Sequence, residues 1–152
     1  LRRFVERHSD VELVFPLYSN PSVRTAVDAE FSGAGRIHCI EPLEYTDFLH
    51  LLSRAWLVAS DSGGVQEEAP SLGKPLLVLR DTTERPEVLD CGVGRLVGHS
   101  GERLEEMLET ALVDESWFDT VRTTKNPFGK GDAGEQIASA IERFFTTKTG
   151  DA

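Results

Sequence analysis

Two short apolar runs, Ala55-Trp56-Leu57-Val58-Ala59 and Leu76-Leu77-Val78-Leu79, bracket the stretch Asp61-Ser62-Gly63-Gly64-Val65-Gln66-Glu67-Glu68-Ala69-Pro70. Runs of four or five apolar residues bounded by turn formers suit buried strands, and Val65–Ser71 suits the short helix between them. A strand that ends in Ser-Gly-Gly and turns into a helix aims several unpaired backbone N–H groups at one point. An anion such as a phosphate can bind there, helped by the helix dipole. Gly63 and Gly64 lack a Cβ, so a ligand can approach the backbone closely. Glu68 falls more than one turn into the helix, away from the anion. Its ionised carboxylate accepts hydrogen bonds, and a ribose diol offers two donors. The run therefore suits a nucleotide diphosphate, against the plainer reading of a tight turn capped by Ser62.

The rest of the chain alternates between the same two periodicities. Strands are expected at Val11–Leu17, Arg36–Ile40, Ala55–Ala59, Pro75–Leu79 and Gly94–Gly98. Helices are expected at Ser22–Glu30, Leu43–Ser53, Val65–Ser71, Gly101–Val113, Glu115–Thr123 and Glu135–Phe145, with a helical scrap at Leu1–His8 that has no start signal. Strand–helix alternation with short connections predicts an α/β fold: a Rossmann-like parallel sheet with helices on both faces. Ligands of such sheets bind beyond the carboxyl ends of the strands. That edge gathers Tyr18–Pro21, Glu41–Pro42, Asp61–Gly64 and Arg80–Arg85, which favours the nucleotide reading over the capped turn.

At 152 residues the chain is one domain by size. A net charge of −10 with no clustered Lys or Arg argues against nucleic acid and anionic membranes as partners. No apolar run approaches the ~20 residues that span a bilayer. Cys39 and Cys91 lack metal-ligand spacing and read as free thiols in a cytoplasmic protein. His8, His50 and His99 carry no assignment, and His38, in an expected buried strand, reads as a core histidine. No His–carboxylate set has metal spacing, so no metal is expected.

The segment 61–75, ending Ser71-Leu72-Gly73-Lys74-Pro75, and the stretch Leu79-Arg80-Asp81-Thr82-Thr83-Glu84-Arg85-Pro86-Glu87 together resemble the signature of the non-hydrolysing UDP-N-acetylglucosamine 2-epimerases. Glu41-Pro42-Leu43-Glu44-Tyr45 and Asn126-Pro127-Phe128-Gly129-Lys130-Gly131 fit the same pattern. The resemblance runs from about Val11 to Phe145. It implies the C-terminal half of a two-domain GT-B-type fold, with residues 1–145 as the UDP-binding domain and 146–152 as a disordered tail. By the same resemblance, the first strand of that domain and the whole N-terminal domain, which holds the acid/base residues, are expected to be absent, and the sheet to be one strand short.

The resemblance implies inversion of carbon 2 of UDP-N-acetylglucosamine by elimination and re-addition of UDP, without cofactor or metal, in a homodimeric parent protein. On this reading the partners are UDP and UDP-N-acetylhexosamines, and no catalytic residue is assigned within the chain. Ser62, Gly63 and Gly64 take the diphosphate and Glu68 the ribose. By similarity Phe48 and the backbone near Leu43 border the uracil, and Arg85 supports the phosphates. The plainer alternatives are a core position for Phe48 and an ion pair of Arg85 with Glu84, Glu87 or Glu67. Glu84 and Glu87 read as capping or salt-bridging groups rather than a catalytic pair. Tyr18 stands where many bacterial members have His at an allosteric position. It cannot carry positive charge, which argues against activation by substrate. Two other readings remain at this point: the donor-nucleotide domain of a GT-B glycosyltransferase, and a non-catalytic interaction domain.

Overall fold

The computed structural model describes residues 1–17 and 20–149. Strands and helices follow one another as α1 (Arg2–Arg7), β1 (Leu13–Pro16), α2 (Pro21–Phe31), β2 (Ile37–Ile40), α3 (Tyr45–Arg54), β3 (Val58–Ser60) and α4 (Gly63–Leu72). They continue with β4 (Leu76–Val78), α5 (Pro86–Asp90), β5 (Gly94–Leu96), α6 (Gly101–Ala111), α7 (Glu115–Thr123) and α8 (Ala133–Thr149). Among the described residues all strand pairs are parallel, as the alternation requires. β1 pairs with β2 in the register Leu13 to Ile37. β4 lies between β3 and β5, with Val58 opposite Leu76 and Leu76 opposite Gly94.

The strands do not form one continuous ladder. Among the described residues they divide into a pair, β1-β2, and a triple, β3-β4-β5. Burial follows the division. Leu76, Leu77 and Val78 of β4 are fully buried, as a central parallel strand covered on both faces must be. Val65 and Ala69 of α4, Val88 of α5, Leu104 and Leu108 of α6, and Trp117 and Val121 of α7 join β4 in a single core. By contrast β1 and β2 hold only half-buried and exposed residues, and α2 buries none. His38 is therefore not the core histidine expected from its strand. It is exposed and pairs with Glu12 at 2.9 Å, and its register partner Val14 is exposed as well. The apolar neighbours of β2 suggested burial, but nothing described covers that face.

Local chemistry sets the element ends. Asn20 caps α2 by accepting the Ser22 N–H at 3.0 Å, with Pro21 at the first helical position. Gly73 ends α4 in the left-handed region, φ 61°, which a side chain would resist, and the Lys74 N–H closes the end on the Ala69 carbonyl. α5 is an element that the sequence reading left unassigned. Its five residues are too few to show a helical period, although Pro86 followed by Glu87 is a start signal of the kind used elsewhere in the chain. α8 reaches Thr149, past residue 146 where the sequence reading begins the tail. Cys39 and Cys91 are both free. No helix among the described residues is long and apolar enough to cross a membrane.

Candidate functional site

Because β3, β4 and β5 are parallel, their carboxyl ends lie on one edge, and the segments that follow them meet there. After β3 comes Ser62, the N-cap of α4. Its side chain makes no capping hydrogen bond, so the first-turn N–H groups of Gly63, Gly64 and Val65 are left without an intrahelical partner. The turn itself is held from below, where the Ser62 N–H donates to the Ser60 hydroxyl at 3.1 Å. Ser62 and Gly64 are exposed. The helix thus presents an open, positively polarised end.

After β4 comes the segment that carries Arg85. Its guanidinium lies over Gly63 so closely that a Cβ on that residue would stand 2.9 Å from Cζ and Nη1. The two glycines therefore differ in use. Gly64 leaves room above the backbone, with only the Ser62 hydroxyl near, 3.8 Å from a Cβ position. Gly63 makes room for an arginine. Arg85 Nε pairs with Glu67 at 2.5 Å and Nη1 approaches Glu84 at 3.4 Å, while Glu84 also binds Arg80 at 2.6 Å. Glu84 is thus a salt-bridging group, and its carboxyl is held below its ordinary value, first by a backbone hydrogen bond and then by Arg80. Arg85 makes two of the ion pairs that its plainer reading named. Its fixed cation beside the open helix end leaves it placed for an anion as well.

Glu68 is half-buried on α4, and its carboxylate lies near the Tyr45 phenol at the start of α3. Its pull on the phenolic proton and its negative charge raise the phenol above its ordinary value of 10.0. Tyr45 is 62% exposed, so this contact faces solvent and is open to exchange. It also joins the segment after β2 to the triple-stranded unit. Phe48 is half-buried and packs against the main core. Leu43 is exposed in the connection between β2 and α3. Tyr18 lies outside the described residues.

Gln66, like Tyr45 and Thr83, had no assignment from sequence. Gln66 is fully buried, and it binds Ser62 on one side and Thr83 on the other. A glutamine on a short helix carries no signal by itself; only its position one turn after Ser62, on the helix's inner face, could have drawn attention to it.

Comparison with known proteins decides the family. The family model described as UDP-N-acetylglucosamine 2-epimerase matches residues 1–142. The chain belongs to the UDP-N-acetylglucosamine 2-epimerase family. It is 44% identical over 135 residues to the UDP-N-acetylglucosamine 2-epimerase of Escherichia coli K12, covering 89% of this chain and 36% of that protein. Against the Bacillus subtilis enzyme of the same name the identity is 43% over 141 residues, with 93% and 37% covered. The S. aureus MnaA–UDP co-structure superimposes with a TM-score of 0.90 at 35% identity, covering 95% of this chain and 40% of that one. The Neisseria meningitidis UDP-GlcNAc 2-epimerase bound to UDP-GlcNAc gives 0.81 at 38% identity, with 93% and 39% covered. The chain thus spans under half the length of the 2-epimerases that it matches, and the α/β fold with parallel strands is theirs.

Proposed function

We propose that this chain is the UDP-binding half of a UDP-N-acetylglucosamine 2-epimerase, which interconverts UDP-N-acetylglucosamine and UDP-N-acetylmannosamine. The observation that carries the reading is the uncapped N-terminus of α4 with the Arg85 guanidinium seated on Gly63. Family membership and the UDP and UDP-GlcNAc named with the matching structures support it. In the proposed reaction a base takes the proton from carbon 2 while the carbon 1–oxygen bond breaks. The bonding electrons leave with the diphosphate, and a 2-acetamidoglucal remains. UDP adds back after a proton returns to the opposite face.

This half stabilises the charge that builds on the departing diphosphate. The N–H groups of Gly63 and Gly64, the Ser62 hydroxyl and Arg85 are already in place, so no reorganisation is needed as charge develops. Glu68 takes the ribose diol, with the exposed Tyr45 phenol yielding the carboxylate as the nucleotide enters. Phe48 and the Leu43 backbone flank the uracil. Residues 1–145 act as the binding domain, and the base belongs to the part of the relatives that this chain does not span. The same reading makes the full-length protein cytoplasmic, which the free thiols support, and homodimeric, an expectation from the resemblance alone.

Calorimetric titration of UDP tests the proposal. Saturable binding is expected, weakened about tenfold in Glu68→Ala by loss of charge-assisted hydrogen bonds. The 152 residues alone are expected to show no epimerisation. A folded chain that does not bind UDP would overturn the reading, and turnover by the chain alone would overturn the assignment of the base.

A further inference from the structure

We infer that Gln66 and Thr83 are positioning residues, which form a buried relay that seats Arg85 against the N-terminus of α4 and so sets recognition of the diphosphate. The inference rests on the nucleotide reading above and concerns how that site is built. Gln66 is fully buried, and its side-chain nitrogen donates to the Ser62 carbonyl at 3.3 Å. Its side-chain oxygen accepts from the Thr83 hydroxyl. The hydroxyl oxygen of Thr83 accepts in turn the backbone N–H of Arg85 at 3.1 Å.

The direction of the relay is fixed at both ends. A carbonyl can only accept, so the amide nitrogen must face Ser62. A backbone N–H can only donate, so the Thr83 hydroxyl must spend its own proton on Gln66. Every group is satisfied in this one arrangement. It ties the cap residue of α4 to the backbone of Arg85, across the gap between the segments that follow β3 and β4.

The Arg85 carbonyl accepts the Val88 N–H at 3.2 Å at the start of α5, but that bond does not reach α4. The ion pairs of Arg85 are to Glu67 and Glu84, whose side chains are 46% and 57% exposed, and pairs of that kind are screened and weak. The helix end at Ser62 and Gly63 is thus joined to the Arg85 backbone through the Gln66 and Thr83 side chains. A buried amide is suited to this, because breaking one of its bonds leaves an unsatisfied polar group with no water to replace the partner.

Thr83 is half-buried, so it can be changed with less risk to folding than Gln66. The test compares UDP by calorimetry and uridine by NMR titration, for the unmodified chain, Thr83→Val, Thr83→Ser, Arg85→Ala and the Thr83→Val/Arg85→Ala double variant. Thr83→Val keeps the shape and removes the hydroxyl. It is expected to weaken UDP about tenfold and to leave uridine unchanged, with Thr83→Ser restoring UDP binding. The double variant is expected to bind UDP no more weakly than Arg85→Ala. Without ligand, the Arg85 Nε–H resonance is expected to shift in Thr83→Val and not in Thr83→Ser. An unmodified chain that binds neither ligand overturns the nucleotide reading and this inference with it. Binding by the unmodified chain with UDP affinity unaltered in Thr83→Val, equal losses for UDP and uridine, or additive losses in the double variant each overturn the inference alone.

Discussion

Gly63 shows how a residue with no side chain can carry a specific job. A methyl group there would push against the far end of a flexible arginine, not against backbone. Gly63→Ala is therefore expected to move Arg85 and leave the fold intact. Thermal unfolding should change by no more than ~1 kcal/mol, the scale of a Gly-to-Ala helix effect, while UDP affinity falls about tenfold. A variant that unfolds early, or one that binds UDP normally, would contradict that account. At this scale the local geometry around the candidate site was legible in part. Ser62, Gly63 and Gly64 open α4 and Glu68 follows on the same helix, because a strand–turn–helix motif carries its geometry in its spacing. Arg85's use of Gly63 was not legible. Two residues so far apart in sequence meet only through the parallel pairing of β3 with β4, which no local pattern encodes. Gln66 was illegible for a related reason: what sets it apart is its burial, which only the fold creates.

Among the elements, α7 offers the clearest response to pH. Asp114 caps it, accepting hydrogen bonds from Ser116 at 2.6 Å and from the Trp117 N–H at 3.1 Å, and it pairs with Arg95 at 2.9 Å. Ser116 first, then Arg95 and the Trp117 N–H, hold its carboxyl below the ordinary value of 3.8. A group depressed on folding adds stability that is present above its unfolded value and is lost as pH falls through the folded one. α7 should therefore loosen on acidification below about pH 4. Trp117 reports the change, since its indole N–H donates to the Gly92 carbonyl at 2.9 Å and Arg95 stacks on its ring. Tryptophan fluorescence across that range should lose this acid step in Asp114→Asn, and a step that persists there would assign it to another group. Element types were largely readable because capping residues and apolar spacing are local. The exception, α5, is shorter than the window in which a helical period can be recognised.

The whole molecule divides into a well-buried part and a thinly covered one. The triple β3-β4-β5 with α4 to α7 contains nearly all of the core, whereas β1, β2 and α2 contribute no fully buried side chain. Regions with little apolar burial open at lower free energy. Amide hydrogen exchange should accordingly be faster across Leu13–Ile40 than across Val58–Leu96, and equal protection in the two would contradict this division. Sequence reading anticipated five parallel strands but not this inequality, since the apolar content of β1 and β2 is ordinary and only tertiary neighbours decide coverage. The parallel register has a kinetic consequence too. Leu13 must find Ile37, and Val58 must find Leu76, with a whole helix threaded between each pair. No hairpin offers a nearby starting contact, so each ladder closes a loop before any strand bond forms. The chain is thus set to fold more slowly than a helical bundle of its length, with α4 and the turn at Ser62 taking shape as part of the search itself.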